Sequence, residues 1–377
     1  MKKIPYSRQW VDQKDINAVV KVLQSDFLTQ GLMVDKFEKV VADYCGAKYA
    51  VAVSSGTAAL HIACLAADIK KGDEGITSPI TFAATSNAML YCGAKPIFAD
   101  IVEDTICIDP KEIEKKISKR TKVIIPVHFA GQPCDMREIY LMAKKKNITV
   151  IEDAAHALGA EYMDEKIGSC KYSDMTILSF HAVKHITTGE GGMVLTNDIK
   201  LYEKLKVLRT HGISRDPKFW YYEMNALGFN YRLTNIQCAL GISQLKKLPR
   251  FCKKRINLAK KYDAIFKGSK FIMPLKTVPY VKNSFHLYVV RFKVEKLNVT
   301  RQRIFDEYRG RGILVNVHYL PVYWHPYYRK LGYKKGLCPR AEKYYAETLT
   351  LPLYPRIRDC DFSRIIRETK RILKKYA

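Results

Sequence analysis

The chain has 377 residues, 47% of them hydrophobic, and its 64 Lys and Arg against 37 Asp and Glu give a formal net charge of +27. That length supports a large buried core and two or three domains, and the lack of any apolar run of about 18 residues argues against a membrane span. Met1-Lys2-Lys3-Ile4-Pro5-Tyr6-Ser7 has no apolar stretch before Arg8 and Asp12, so no signal peptide is expected.

Ten cysteines are scattered without Cys-x-x-Cys spacing or a histidine cluster, which points to reduced thiols in a cytoplasmic protein and to no metal site. The charge makes nucleic acid a competing partner through counterion release. Yet the basic residues run along the whole chain, and the clusters at Lys144 to Lys146, Lys246-Lys247, Lys253 to Arg255 and Lys374-Lys375 sit in polar helix-like stretches. Solvated helix faces account for them, and a positive field also attracts small anions. No nucleic-acid-reading signature is present, and the expectation is no nucleic-acid and no membrane partner.

In chain order, Ile16, Val19, Val20 and Leu23 fall at helical spacing over residues 12–24, with Asp12 as a cap. Asp26-Phe27-Leu28-Thr29-Gln30-Gly31 is then predicted as a loop. Tyr49 to Val53 is apolar and too short for a helix, hence a strand buried on both faces. Ser54-Ser55-Gly56-Thr57 turns from it into an all-round apolar helix reaching Ala67. The unpaired N–H groups and positive end of such a helix suit a phosphate, although a plain cap has the same spelling.

Thr77 to Thr85 repeats the strand-turn-helix pattern, with Phe82 at the helix start. Strands at Pro96 to Ala99, Val123 to Val127 and Ile148 to Ile151, separated by helices near 111–118 and 135–146, continue the alternation. It implies a parallel sheet with right-handed crossovers, in which function gathers at the carboxyl ends of strands. Met175 to Phe180 and Met193 to Thr196 add two strands. Helix 199–210, a polar and aromatic insertion at 214–224 and a helix carrying Cys238, Ile242 and Leu245 follow. Gly228-Phe229-Asn230-Tyr231-Arg232 precedes that last helix, and taken alone Asn230 reads as a turn residue and Arg232 as a surface cation.

From Leu248 a lysine-rich helix to Phe266 leads into strands at Phe285 to Phe292 and Ile313 to Tyr319, helices 301–309 and 339–347, and an extended edge segment from Leu351 to Pro355. This is the pattern of a small α+β domain. The expected division is a large domain over residues 1–247 and a small one over 248–377, packed tightly because no linker separates them.

Two residues in this frame carry chemistry. Lys184 follows the apolar strand Met175 to Phe180 and precedes a glycine turn, so burial should favour its neutral amine and equip it to form a Schiff base with a carbonyl. Asp153 ends the apolar run through Ile148, Val150 and Ile151. A carboxylate at a buried strand tip can pair with the ring nitrogen of a pyridine cofactor and keep it an electron acceptor. His156, three residues on, can cap or stack on the ring. Ser179 can donate to a cofactor phosphate or simply satisfy a strand end, and His181 and His185 read as local scaffold.

Ser-Ser-Gly-Thr-Ala-Ala-Leu at 54–60, Glu-Asp-Ala-Ala-His-Ala at 152–157 and Ser-Phe-His-Ala-Val-Lys at 179–184 together resemble the DegT-type sugar aminotransferases. The match runs nearly end to end. Thr29-Gln30-Gly31, the segment around Lys184, Gly228 to Arg232 and Val317-His318-Tyr319 look most like the UDP-sugar 4-aminotransferases of pseudaminic acid biosynthesis. The resemblance implies the α/β fold of aspartate aminotransferase, fold type I, with a mixed, mostly parallel sheet, helices on both faces and a smaller C-terminal α+β domain.

It further implies pyridoxal 5′-phosphate (PLP) on Lys184, with Asp153, Gly56, Thr57, Phe82, His156, Ser179 and Asn230 as cofactor contacts. Phe82 would stack on the ring, and Asn230 would reach the cofactor phosphate of the other subunit in a homodimer with shared sites. Tyr6, Asp26, Phe27, Leu28, Thr29, His318, Tyr319 and Leu320, with Gly56, Ser179 and Asn230, would border a nucleotide-sugar substrate. Glutamate would be the amino donor and a UDP-linked 4-keto-6-deoxy-N-acetylhexosamine the acceptor, in a ping-pong transfer. Some relatives carry histidine where the lysine belongs and are dehydratases; here that position is Lys184, which favours amino transfer. Rival readings are another nucleotide-linked 4-keto sugar, sugar dehydration or epimerisation, and a nucleic-acid-binding protein on an inactive enzyme fold.

Overall fold

The computed structural model describes residues 2–214 and 220–377. Its centre is a sheet of seven strands: β1 (Tyr49–Val53), β2 (Glu74–Thr77), β3 (Lys95–Phe98), β4 (Thr121–Ile125), β5 (Thr149–Asp153), β6 (Met175–Ser179) and β7 (Gly192–Thr196). The spatial order is β1-β7-β6-β5-β4-β2-β3, and every pairing is parallel except those of β7, which runs antiparallel to both neighbours. No crossover helix joins β6 to β7, so the chain returns in the opposite sense. The loop that makes this return carries Lys184.

Both faces of the sheet are apolar, as continuous hydrophobic strands require. In β1, Ala50 and Ala52 enter one core and Val51 and Val53 the other, the period-2 alternation of a strand. The second core receives α3 (Gly56–Ala66) and α4 (Ala84–Tyr91), while the first receives α2 (Leu32–Cys45) and α6 (Met136–Lys145). The helix at Pro110–Lys116 (α5), then α7 (Ile199–Arg209) and α8 (Asn235–Leu245), complete the layers around the sheet.

The remaining chain builds a second, antiparallel sheet ordered β8-β9-β10 from Ile272–Pro274, Tyr288–Phe292 and Thr348–Leu351. Helices α9 (Leu248–Phe266), α10 (Arg301–Gly310) and α12 (Asp359–Tyr376) pack a third core on it, and α11 (Pro339–Glu347) contributes Ala341 and Tyr344 to the first core. Ile4 also enters the third core, because Ile4–Pro5 pairs in parallel with Ile313–Leu314. The predicted strand over Ile313 to Tyr319 therefore stops at Leu314. Asn316 makes a single bridge to Thr350, and the chain then turns inward with His318 and Tyr319.

Phe285 has φ +49° and its N–H donates to Asn283 Oδ1 at 2.7 Å, so β9 begins only at Tyr288. Within the insertion, Ile213–Ser214 pairs antiparallel with Glu223–Met224. Asp216, Pro217, Lys218 and Phe219 lie outside the described residues.

Helix α1 (Gln13–Leu23) forms where its spacing predicts and is closed by a capping box: Asp12 accepts from Lys14 and Asp15 N–H, and Asp15 Oδ2 accepts from Asp12 N–H. Its inward face differs from the one the apolar residues suggested. Ile16, Val20 and Leu23 are exposed, whereas Asp15 and Val22 are buried. The reason is electrostatic: Asp15 is paired with Lys247 Nζ at 2.5 Å and accepts from Ser243 Oγ at 2.6 Å and Gln244 Nε2 at 2.8 Å. This network roots α1 on α8 and leaves the apolar row outside.

Removing one partner of such a buried pair strands the other charge. Asp15→Ala should lower the unfolding free energy by about 3 kcal/mol in urea titration, whereas a loss below about 1 kcal/mol would place the anchor elsewhere.

Candidate active site

One cavity of about 460 Å³ opens over the carboxyl ends of the parallel strands. The turn after β1 supplies Ser55, Gly56 and Thr57, the segment after β2 supplies Thr81, Phe82 and Thr85, β5 ends in Asp153, and β6 ends in Ser179. Lys184 enters from the β6–β7 loop and His318 and Tyr319 from beyond β8-β9-β10's crossing bridge at Asn316.

The β1–α3 turn is shaped for an anion. Ser55 caps the helix by accepting from Ala58 N–H at 3.0 Å, and the first N–H groups of α3 have no acceptor within the helix. Gly56 packs tightly on β6, since a Cβ there would stand 3.0 Å from the Ser179 Cβ and force Ser179 to shift. A Cβ at Gly192 would come within 2.3 Å of the Ser55 carbonyl oxygen. These two glycines let the cup lie directly against the ends of β6 and β7, with Ser179 Oγ on its rim.

Asp153 is buried, and its orientation is fixed by donors on both oxygens: Thr85 Oγ1 donates to Oδ2 at 2.7 Å and Ala155 N–H to Oδ1 at 3.1 Å. Thr81 Oγ1 lies 2.8 Å from Thr85 Oγ1 and steadies it in turn. Below, Glu152 meets His128 Nε2 at 2.7 Å, Ser173 Oγ at 2.5 Å and Thr176 Oγ1 at 2.9 Å. Burial pushes the Glu152 carboxyl up, but these partners together hold it below its usual range.

The Lys184 loop is tied by Lys184 N–H to the His181 carbonyl at 2.9 Å, Thr188 N–H to the Phe180 carbonyl at 3.0 Å and Thr187 Oγ1 to the same carbonyl at 3.1 Å. The Lys184 side chain lines the cavity. Its burial lowers the ammonium pKa to about 8, against a smaller opposing pull from Asp153. The nearby imidazoles are neutral for the same reason: burial and the Lys184 charge push His318 down to about 3 and His156 well below its ordinary range.

Tyr319 Oη lies 3.3 Å from His156 Nε2, and the two rings stack at 22° with centroids 6.2 Å apart. Tyr6 and His318 pack with centroids 5.3 Å apart at the opposite wall.

Of the residues singled out by sequence, Tyr6, Gly56, Thr57, Phe82, Asp153, His156, Ser179, Lys184, His318 and Tyr319 meet in this cavity. Asp26, Phe27, Leu28, Thr29, Asn230 and Leu320 lie outside its wall. The 26–31 loop instead caps α8: Asn235 Nδ2 donates to the Phe27 carbonyl at 2.8 Å and Asn235 N–H to the Leu28 carbonyl at 3.0 Å. Phe27 lines a separate groove between α1, α2 and α8. Asn230 is exposed on a bridge to Thr210.

Thr85, His286, Asn316 and Glu190 line the cavity without having been picked out. Thr85 was within reach of sequence, as the hydroxyl four residues after Thr81 at a helix start. His286 and Asn316 come from the C-terminal part, and nothing local marks them.

These residues fit PLP. The buried Nδ1 of His156 has no partner among the described residues, the cup offers free N–H groups for a phosphate, and a desolvated amine and a fixed carboxylate share one space. Among the described residues there is no group of three His, Cys, Asp or Glu that could hold a metal ion.

A fold-type-I sheet with an amine and a carboxylate at its strand ends defines a PLP-dependent aminotransferase. The DegT/DnrJ/EryC1/StrS aminotransferase family model matches residues 9–370, and the chain belongs to that family. It is 42% identical over 354 residues to a UDP-4-amino-4,6-dideoxy-N-acetyl-beta-L-altrosamine transaminase of Campylobacter jejuni, covering 93% of this chain and 92% of that one. Helicobacter pylori PseC, an aminotransferase of pseudoaminic acid biosynthesis, superposes over 100% of both chains with TM-score 0.94 and 36% identity. Spr1654 of Streptococcus pneumoniae in its PLP form does so at 0.92 and 30%, again over 100% of both chains.

The lowered Lys184 pKa has a kinetic consequence. Only the neutral amine attacks the cofactor aldehyde, so the rate of PLP uptake should rise about tenfold per pH unit below pH 8 and level above it. A rate still climbing past about pH 10, or PLP captured covalently by Lys184→Ala, would contradict this role.

Proposed function

We propose that the protein transfers an amino group from glutamate to C4 of a UDP-linked 4-keto-6-deoxy-N-acetylhexosamine, forming the UDP-4-amino-4,6-dideoxy sugar used for pseudaminic acid. The convergence of Lys184 and Asp153 in one cavity carries the transaminase part of this reading. The likeness to the Campylobacter jejuni and Helicobacter pylori proteins supports the sugar.

When bound, PLP supplies an electron sink next to the carbon that loses its proton. Lys184 would hold the aldehyde carbon and Asp153 the ring nitrogen. The Gly56–Thr57 turn and Ser179 would take the phosphate, and Phe82 or His156 would cover a ring face. Lys184 Nζ holds and moves the proton at the donor's α-carbon, and its pKa near 8 suits a base that must take and return a proton. Neutral His156 and His318 can orient polar groups without adding charge. Tyr6, His318 and Tyr319 would line the sugar, with the 26–29 segment and Leu320 further out.

A homodimer completes the site in this reading. Lys184 and four histidines are the only basic side chains lining the cavity among the described residues, a sparse set for a cofactor phosphate and a sugar diphosphate together. Asn230 is exposed, as a residue reaching a partner's phosphate must be, and the row Ile16, Val20, Leu23 and Phe27 stands exposed for a partner to cover. Sedimentation of the active holoenzyme as a monomer would refute the shared site. We further propose that the chain divides at 247/248 and that the enzyme works in the cytoplasm. Among the described residues, no helix is long and apolar enough to cross a membrane.

Incubation of the holoenzyme with glutamate and a panel of UDP-4-keto-6-deoxy-N-acetylhexosamines, with products resolved by NMR, tests the proposal. One 2-oxoglutarate should appear per 4-amino sugar. Sugar product formed without glutamate consumption would show dehydration or epimerisation instead.

A further inference from the structure

His286 lines the cofactor cavity and is only 2% exposed, yet its ring makes no hydrogen bond among the described residues. The backbone on both sides of it is held. Ser284 N–H donates to the Gly131 carbonyl at 3.2 Å, Leu287 N–H to the Ala130 carbonyl at 3.3 Å, and the His286 carbonyl accepts from Arg255 Nη1 at 3.1 Å. From this fixed segment just ahead of β9 the ring packs against His156 and His185, with centroids 4.4 and 5.5 Å away.

The neighbouring buried imidazoles each have a protein partner. His318 Nδ1 lies 2.7 Å from Thr350 Oγ1, His156 Nε2 lies 3.3 Å from Tyr319 Oη, and His185 Nε2 lies 3.2 Å from the Ser284 carbonyl oxygen. In His286 the buried Nδ1 has none, and neither has Nε2 among the described residues. A neutral imidazole has one hydrogen-bond donor and one acceptor, and leaving both unpaired inside a protein is costly. A phenylalanine would fill the same space against His156 without that cost, so the nitrogens are accounted for by something that occupies the cavity.

We propose that His286 is a further substrate-binding residue, whose ring N–H donates to the α-carboxylate of the amino donor. The inference rests on glutamate as that donor. The α-carboxylate is one bond from the carbon whose amine is exchanged with Lys184, so it must lie at the Lys184 end of the cavity. His286 stands at that end, against the ring of His185, the residue that follows Lys184. No arginine lines the cavity among the described residues, and Lys184 is committed to the cofactor. Burial keeps His286 neutral, and one neutral hydrogen bond to a carboxylate oxygen lets the keto acid depart more readily than an ion pair would.

The test titrates the holoenzyme with glutarate, which has the two carboxylates of glutamate but no amine to react, and separately with UDP, each followed by ligand NMR. His286→Phe removes both nitrogens and leaves the Arg255 tie to the backbone carbonyl; it should weaken glutarate about tenfold and UDP less than about twofold. His286→Gln restores an N–H and should recover part of the glutarate affinity. In the wild type, the side-chain nitrogen-15 signals of His286 should shift on adding glutarate, and an unchanged PLP absorbance in each variant shows that the cavity is intact. Equal glutarate affinity in wild type and His286→Phe, or equal losses of glutarate and UDP, would overturn the proposal while leaving glutamate as donor. A wild type that binds UDP but not glutarate would instead sink the donor reading and this inference with it.

Discussion

The structure turns on placing an amine and a carboxylate in one cavity at the carboxyl edge of a parallel sheet. A lysine in water is a cation and a poor nucleophile; enclosed among Tyr6, His318, Tyr319 and the strand ends, Lys184 has its pKa lowered to about 8. That gain requires that the surrounding groups stay uncharged, and burial keeps His156, His286 and His318 neutral. The carboxylate is treated in the opposite way. Asp153 is buried but given donors from Thr85 and Ala155, so it stays fixed in direction.

The fold serves this arrangement at several levels. Continuous apolar strands bury the sheet on both faces and leave only its ends for polar work. The antiparallel return into β7 allows a short loop where a crossover helix would otherwise stand, and that loop presents Lys184. Glycines at 56 and 192 bring the helix cup against β6 and β7 closely enough for Ser179 to join it. The C-terminal sheet closes the other wall by sending His318 and Tyr319 inward, with His318 Nδ1 at 2.7 Å from Thr350 Oγ1 and the His318 carbonyl accepting from Tyr344 Oη at 2.6 Å.

Much of this was legible because strand ends announce themselves: an apolar run that stops at a polar residue places Asp153 and Ser179, and a glycine turn before an apolar helix places the cup. What stayed hidden depends on tertiary contacts. The apolar spacing of α1 located the helix but misassigned its buried face, because a single carboxylate, Asp15, bonded to Lys247 outweighs three aliphatic side chains. The strand expected over Ile313 to Tyr319 breaks at Leu314, and the chain beyond it places Asn316, His318 and Tyr319 on the cavity wall. Helix α2 and the strongly charged α12 were not singled out, and β10 was placed late because its Thr348 and Thr350 read as polar. The 26–31 segment and Asn230 lie outside the cavity of one chain, because the first is held on α8 by Asn235 and the second on a bridge to Thr210.

The claim on which all of this rests is that Asp153 and Lys184 address opposite ends of one PLP molecule. The nitrogen-15 NMR shift of ring-labelled PLP, bound to the wild-type enzyme and to Asp153→Asn, tests it most directly. The account predicts a protonated ring nitrogen in the wild type and an unprotonated one in the variant, with Lys184 linked to the cofactor in both. The same ring-nitrogen signal in the two proteins would show that Asp153 does not hold that end of the cofactor.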